Sequence, residues 1–104
     1  MIYEMRTYRL RTGTVPAYLK LVEEEGIAIQ KGHLGQLVGY FFSEIGALNE
    51  IVHIWAFADL NDRERRRAAL IADQRWLDFL PRIQALIETM DNKILKPSAF
   101  SPLA

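Results

Sequence analysis

The chain has no cysteine among its 104 residues, which excludes a disulfide framework, a thiolate nucleophile and any cysteine-based metal site. It lacks an apolar run near the roughly 20 residues that cross a bilayer, so no membrane insertion is expected. It also lacks a charge surplus, with 13 acidic and 13 basic side chains. Nucleic acid is therefore not expected as a partner, because neutralising phosphates takes a concentrated basic excess. The two histidines, His33 and His53, do not have metal-motif spacing, and no acidic cluster joins them; neither metal nor cofactor is expected. There is no GxSxG, no Gly-rich phosphate loop and no HExxH. No linker, repeat or low-complexity stretch divides the sequence, so residues 1–104 are expected to form one domain. The chain opens on strand-like MIYEMRTYRL without a basic-then-apolar leader, which makes the cytoplasm the expected location.

What the sequence does have is a strongly apolar hairpin. Residues 36–57, QLVGYFFSEIGALNEIVHIWAF, read as two strands around a turn at Gly46. In the second strand Ile51, His53, Trp55 and Phe57 share one face, and Val52, Ile54 and Ala56 share the other. A half-solvated strand alternates apolar with polar; a strand covered on both faces need not. The chain has helices for one face only, so a second copy is expected to cover the other.

The remaining elements follow from periodicity. Residues 2–10 form a first strand, with Glu4, Arg6 and Tyr8 on one side and Tyr3, Met5 and Thr7 on the other. Thr14 suits a helix N-cap, Pro16 the first turn and Gly32 the C-terminal stop, which leaves His33 in a solvated loop. Val15, Tyr18, Leu19, Val22, Gly26 and Ile29 mark the buried side of that helix. Asn61 and Glu64 have the spacing of a capping box for a helix through Leu70 and Ile71. Asp73 caps a second helix whose stripe runs from Trp76 to Met90, with Pro81 expected to kink or divide it. A short edge strand, Lys93–Lys96, stops at Pro97. The order βαββαβ is the ferredoxin-like α+β plan: a four-stranded antiparallel sheet with helices on one face. Its open face would expose a large apolar patch, which pairing two sheets about a two-fold axis into a dimeric α+β barrel would bury.

Several pieces together resemble the NIPSNAP family. They are Tyr3-Glu4-Met5-Arg6-Thr7-Tyr8, Val38-Gly39-Tyr40-Phe41, Ser43-Glu44-Ile45-Gly46-Ala47-Leu48-Asn49 and Val52-His53-Ile54-Trp55. Asp62-Arg63 with Arg67, the helix holding Trp76 and the closing Ile94-Leu95-Lys96-Pro97 complete the pattern. The resemblance covers essentially the whole chain. It implies the dimeric α+β barrel fold and a homodimer, and it implies no agreed catalytic activity.

Among candidate site residues, Arg63 and Arg67 lie four apart and in phase with Leu60, Leu70 and Ile71, the side facing the sheet. Either they hold an anionic group such as a carboxylate or phosphate, or they pair with Glu4 or Glu44 and seal the helix onto the sheet. The second reading weighs more, since buried charges are usually paired. His53 is either a general base near neutral pH or a hydrogen-bonded core residue, and the core role is the commoner one. Trp55 beside it could line an apolar pocket. Glu4, Arg6 and Tyr8 form an ion-pair network or the polar floor of a cavity, with Tyr8 as proton donor. Trp76 is an anchor in the core or a stacking surface.

Two function classes follow. One is a homodimeric binding protein holding a small apolar or anionic molecule, or a partner segment, between helices and sheet. The other is a cofactor-independent monooxygenase or isomerase, with His53 removing a proton from a small aromatic or lactone compound and Arg67 or Arg6 stabilising the enolate. That second class rests on fold-level analogy.

Overall fold

The computed structural model describes residues 1–104. Strand β1 (Ile2–Leu10) leads into helix α1 (Val15–Leu21), a π-helical segment (Val22–Gly26) and helix α2 (Ile27–Leu34). Strands β2 (Gln36–Phe42) and β3 (Glu50–Phe57) form the hairpin; helices α3 (Leu60–Ile71) and α4 (Gln74–Gln84) and strand β4 (Ile87–Leu95) follow. The sheet has the order β2-β3-β1-β4, every pairing antiparallel. This is the ferredoxin-like α+β plan expected from the sequence.

Register fixes which side chains meet. Arg6 lies opposite both His53 and Asn92, and His53 lies opposite Tyr40, so one row crosses the sheet as Tyr40, His53, Arg6, Asn92. The neighbouring row places Ile51, Tyr8 and Met90 side by side. The helices cover this face. Ile51, Trp55, Phe57, Leu10, Tyr18 and Leu70 are almost wholly buried beneath them, each contributing about 1.5–3 kcal/mol relative to exposure. The other face carries Met5, Val52, Ile54 and Phe41, and Phe41 is 53% exposed.

The first helical stretch depends on its π turn. Its buried residues are Tyr18, Val22, Gly26, Gln30 and Leu34, one every fourth position. In a regular α-helix four residues overshoot a full turn by about 40°, so four such steps would carry the stripe about 160° around the axis. The wider π turn absorbs part of that drift and keeps all five over the sheet. Gly26 is required at the centre, because a Cβ there would lie 2.5 Å from Phe79 Cζ.

Five local expectations are corrected. The helix passes Gly32 and ends at Gly35, whose φ of 83° favours glycine. His33 is accordingly helical and half-buried, with Nε2 2.8 Å from Asp73 Oδ2. Thr14 does stand at the N-cap of α1, but its side chain makes no capping hydrogen bond, the hydroxyl donating to the Arg11 carbonyl instead. Helix α3 is capped by Asp59, which accepts from the Asp62 N–H, while the Asp62 carboxylate accepts from Ala58 N. Asn61 and Glu64 form no box, because the helix starts two positions earlier than they require. Finally, α4 continues through Pro81 without division and stops at Gln84, and β4 begins at Ile87 rather than Lys93.

Candidate functional site

Beneath the helices lies a cluster of charge built on Glu4. Glu4 is 1% exposed and accepts hydrogen bonds from Arg6, from two nitrogens of Arg63 and from Asn92, at 2.8 to 3.2 Å. Burial opposes its ionisation, but the hydrogen bonds from Arg63 and Asn92 and the charge of Arg6 outweigh it and bring the carboxyl down to about 2. A buried carboxylate with four donors explains why a strand so apolar tolerates Glu4 at all.

Helix α3 carries four arginines in its middle, and their fates differ. Arg63 binds Glu4 and Glu64. Arg65 and Arg66 both bind Asp62. Arg67 has no carboxylate partner and no protein hydrogen bond, although it is half-buried. Burial, followed by the like charge of Arg6, pushes its guanidinium below the ordinary arginine value. The structure thus separates the two arginines that the sequence grouped: Arg63 seals helix to sheet through Glu4, and Arg67 faces a cavity.

That cavity, of about 150 Å³, is bounded by Arg6, Tyr8, Trp55, Arg67 and Trp76, with Gln30, Leu34, Leu70 and Leu80 completing its wall. Exposed Ile71, Gln84 and Met90 form its mouth. A smaller annex of about 30 Å³ shares Tyr8, Gln30 and Trp76 with it and ends at Tyr18 and Tyr40, whose hydroxyls are 2.6 Å apart. Burial pushes both phenols well above the usual tyrosine value, so they stay neutral. The chamber therefore has one unpaired cation, aromatic walls and no carboxylate or histidine in its lining.

Five of the eight residues singled out in the sequence line this chamber: Arg6, Tyr8, Trp55, Arg67 and Trp76. Glu4 and Arg63 stand behind it as an ion pair, and His53 lies beneath its floor. His53 stacks on Tyr40 at 4.6 Å and meets the Tyr8 ring edge-on at 4.9 Å. Its Nδ1 lies 2.8 Å from Trp55 Nε1. An indole N–H only donates, so Nδ1 accepts and the proton of the neutral ring sits on Nε2. Nε2 has no hydrogen-bond partner. Burial, aided by Arg6, lowers His53 to about 3, so the ring is neutral at pH 7. Tyr8 accepts from Arg6 Nε at 2.9 Å, which leaves its own proton free to donate. Gln30 is the lining residue that sequence reasoning missed, because regular helical spacing from Tyr18 does not carry the buried stripe to it.

A ferredoxin-like α+β domain with a cationic, aromatic chamber under its helices defines the class. The chain belongs to the NIPSNAP family, whose model matches residues 3–102. It is 37% identical over 103 residues to protein NipSnap homolog 2 of Danio rerio, covering 98% of this chain and 35% of that protein. The chain thus spans about a third of the length of that relative. A crystal structure of a NIPSNAP family protein with unknown function from Agrobacterium tumefaciens shares 69% identity and a TM-score of 0.98, covering 100% of this chain and 94% of that one. An antibiotic biosynthesis monooxygenase shares the fold alone, at 13% identity and a TM-score of 0.66 over 94% of this chain and 99% of that one. No helix is long and apolar enough to cross a membrane.

Proposed function

We propose that this protein is a homodimeric binding protein that holds a small apolar carboxylate between helices and sheet, with Arg67 as the anchor for its charge. The observation that carries this reading is the unpaired Arg67 guanidinium at a cavity walled by Trp55 and Trp76. A half-buried cation without a counter-ion is unfavourable, and an arginine fork matches a carboxylate in two parallel hydrogen bonds. A chamber of about 150 Å³ accommodates a benzene-sized body. Tyr8 adds a donor from the floor. In this reading His53 orients Trp55, since the indole occupies the lone pair that a base would need. A cofactor-independent monooxygenase or isomerase would need a base among the lining residues, and the monooxygenase likeness is one of fold.

The chain has two tryptophans and both line the chamber, so intrinsic fluorescence reports on it alone. Titration with benzoate should give a saturable change, and benzyl alcohol should give a much weaker one. Arg67→Met should weaken benzoate binding by about 1.5–3 kcal/mol, roughly ten- to a hundred-fold. An Arg67→Met protein that titrates like the parent would remove the anchor from the proposal.

Dimerisation is supported by the sheet face away from the helices, where Phe41, Val38 and Leu95 are exposed beside Met5, Val52 and Ile54. Sedimentation should return twice the chain mass for the parent and the chain mass for Phe41→Asp/Ile54→Asp. A parent protein that sediments as a monomer at micromolar concentration would end this part of the reading.

A further inference from the structure

The chamber contains a second polar group that nothing in the protein satisfies. Gln30 is 8% exposed, lines both the chamber and its annex, and its carboxamide makes no hydrogen bond to another residue. The other buried members of its stripe are Tyr18, Val22, Gly26 and Leu34. Tyr18 is paired with Tyr40, and the rest have no polar side-chain atom. The amide stays open to the cavity, so a group that displaces solvent there has to offer it a hydrogen bond in return.

Position says what that is. Arg67 borders the chamber and not the annex, whereas Gln30 borders both, together with Tyr8, Trp76, Leu80, Gln84 and Met90, and of these Gln30 is the one buried amide. A ring whose carboxylate meets Arg67 in the chamber therefore directs its remote side toward Gln30. The annex, about 30 Å³, has room for one water-sized group. A carboxamide offers both an N–H donor and a carbonyl acceptor, so it matches a hydroxyl in either direction.

We infer that Gln30 makes the cavity selective for a hydroxylated aromatic acid, with the hydroxyl on the side of the ring remote from the carboxylate. This rests on the carboxylate reading of Arg67 given above. Filling the annex with a methyl group instead would leave the amide buried and unpaired, and sites built to bond a hydroxyl reject such analogues strongly.

The test compares 4-hydroxybenzoate, 4-methylbenzoate and benzoate on the intact protein, by tryptophan fluorescence and calorimetry. 4-Hydroxybenzoate should bind at least ten-fold more tightly than 4-methylbenzoate. In Gln30→Leu that preference should disappear or reverse while benzoate still binds. Equal affinities for the hydroxy and methyl acids in the parent protein would overturn the inference and leave the Arg67 anchor standing. A preference that survives in Gln30→Leu would overturn it as well. If none of the three acids binds, the carboxylate reading fails, and the inference fails with it. Should Gln30→Leu not fold, the comparison of the two substituted acids on the parent protein decides the matter alone.

Discussion

Replacing Glu4 with glutamine is expected to destabilise the fold by about 3–5 kcal/mol, the usual consequence of removing one partner from a buried ion pair. The shape of the side chain is kept and only its charge is lost. Arg6 and Arg63 would then sit against the sheet with no buried anion, and Arg67 close by would add to the repulsion. Three of the four donors converge on Oε2 and one on Oε1, so even in the better amide orientation Arg63 Nε would meet an NH₂ group instead of an oxygen. Urea denaturation at pH 7 would show the loss as a lower midpoint with an unchanged slope. Adding Arg63→Met to Glu4→Gln should restore part of the stability, because it removes one of the uncompensated charges. A loss below about 1 kcal/mol in Glu4→Gln would mean that water already screens these arginines.

The second large effect is acid sensitivity centred on His53. Its folded-state value lies near 3 against an ordinary 6.5, so the unfolded chain takes up a proton first as the pH falls. Stability from the neutral buried ring is complete above pH 6.5 and declines between 6.5 and 3, by up to about 1.4 kcal/mol per pH unit and on the order of 5 kcal/mol in total. Glu4 acts later. Its carboxyl is depressed from 4.5 to about 2, so its contribution is complete above 4.5 and is lost as the pH falls through 2. The window from 6.5 to 4.5 therefore isolates the histidine. There the parent protein should lose about 2–3 kcal/mol, while His53→Gln, whose amide oxygen can still accept from Trp55, should stay nearly flat. A parent protein whose stability does not change across that window would show that His53 charges in the folded state.

The sequence exposed the sheet more readily than the cavity, for physical reasons. Strands β1 and β3 are both central with one face under the helices, so the two-residue side-chain period separates the faces of residues 2–10 and 51–57 whatever their polarity. Strand β4 is an edge strand and exposed along most of its length. No buried face imposed alternation on it, and Ile87 and Met90 happened to continue the helical spacing of α4. The α3 boundary slipped because Asp59 and Asn61 are both competent caps, and only the backbone decides between them. Of the site, the phase of Arg63 and Arg67 was legible, but not their division of labour. Arg63 reaches Glu4 across 59 positions of sequence, and the chamber that isolates Arg67 takes its walls from α2, α3, α4 and three strands. Gln30 escaped notice because a regular helix would turn it away from the stripe begun at Tyr18; the π turn that brings it back has no side-chain signature of its own.

The hydroxyl of Tyr3 donates to the carbonyl of Leu103 at 2.7 Å, and β1 pairs with β4 along the same edge. The two ends of the polypeptide consequently leave the domain side by side. Such a unit can be spliced into a surface loop of a larger protein, or rejoined end to end and reopened at the Gly46 turn, without stretching its sheet.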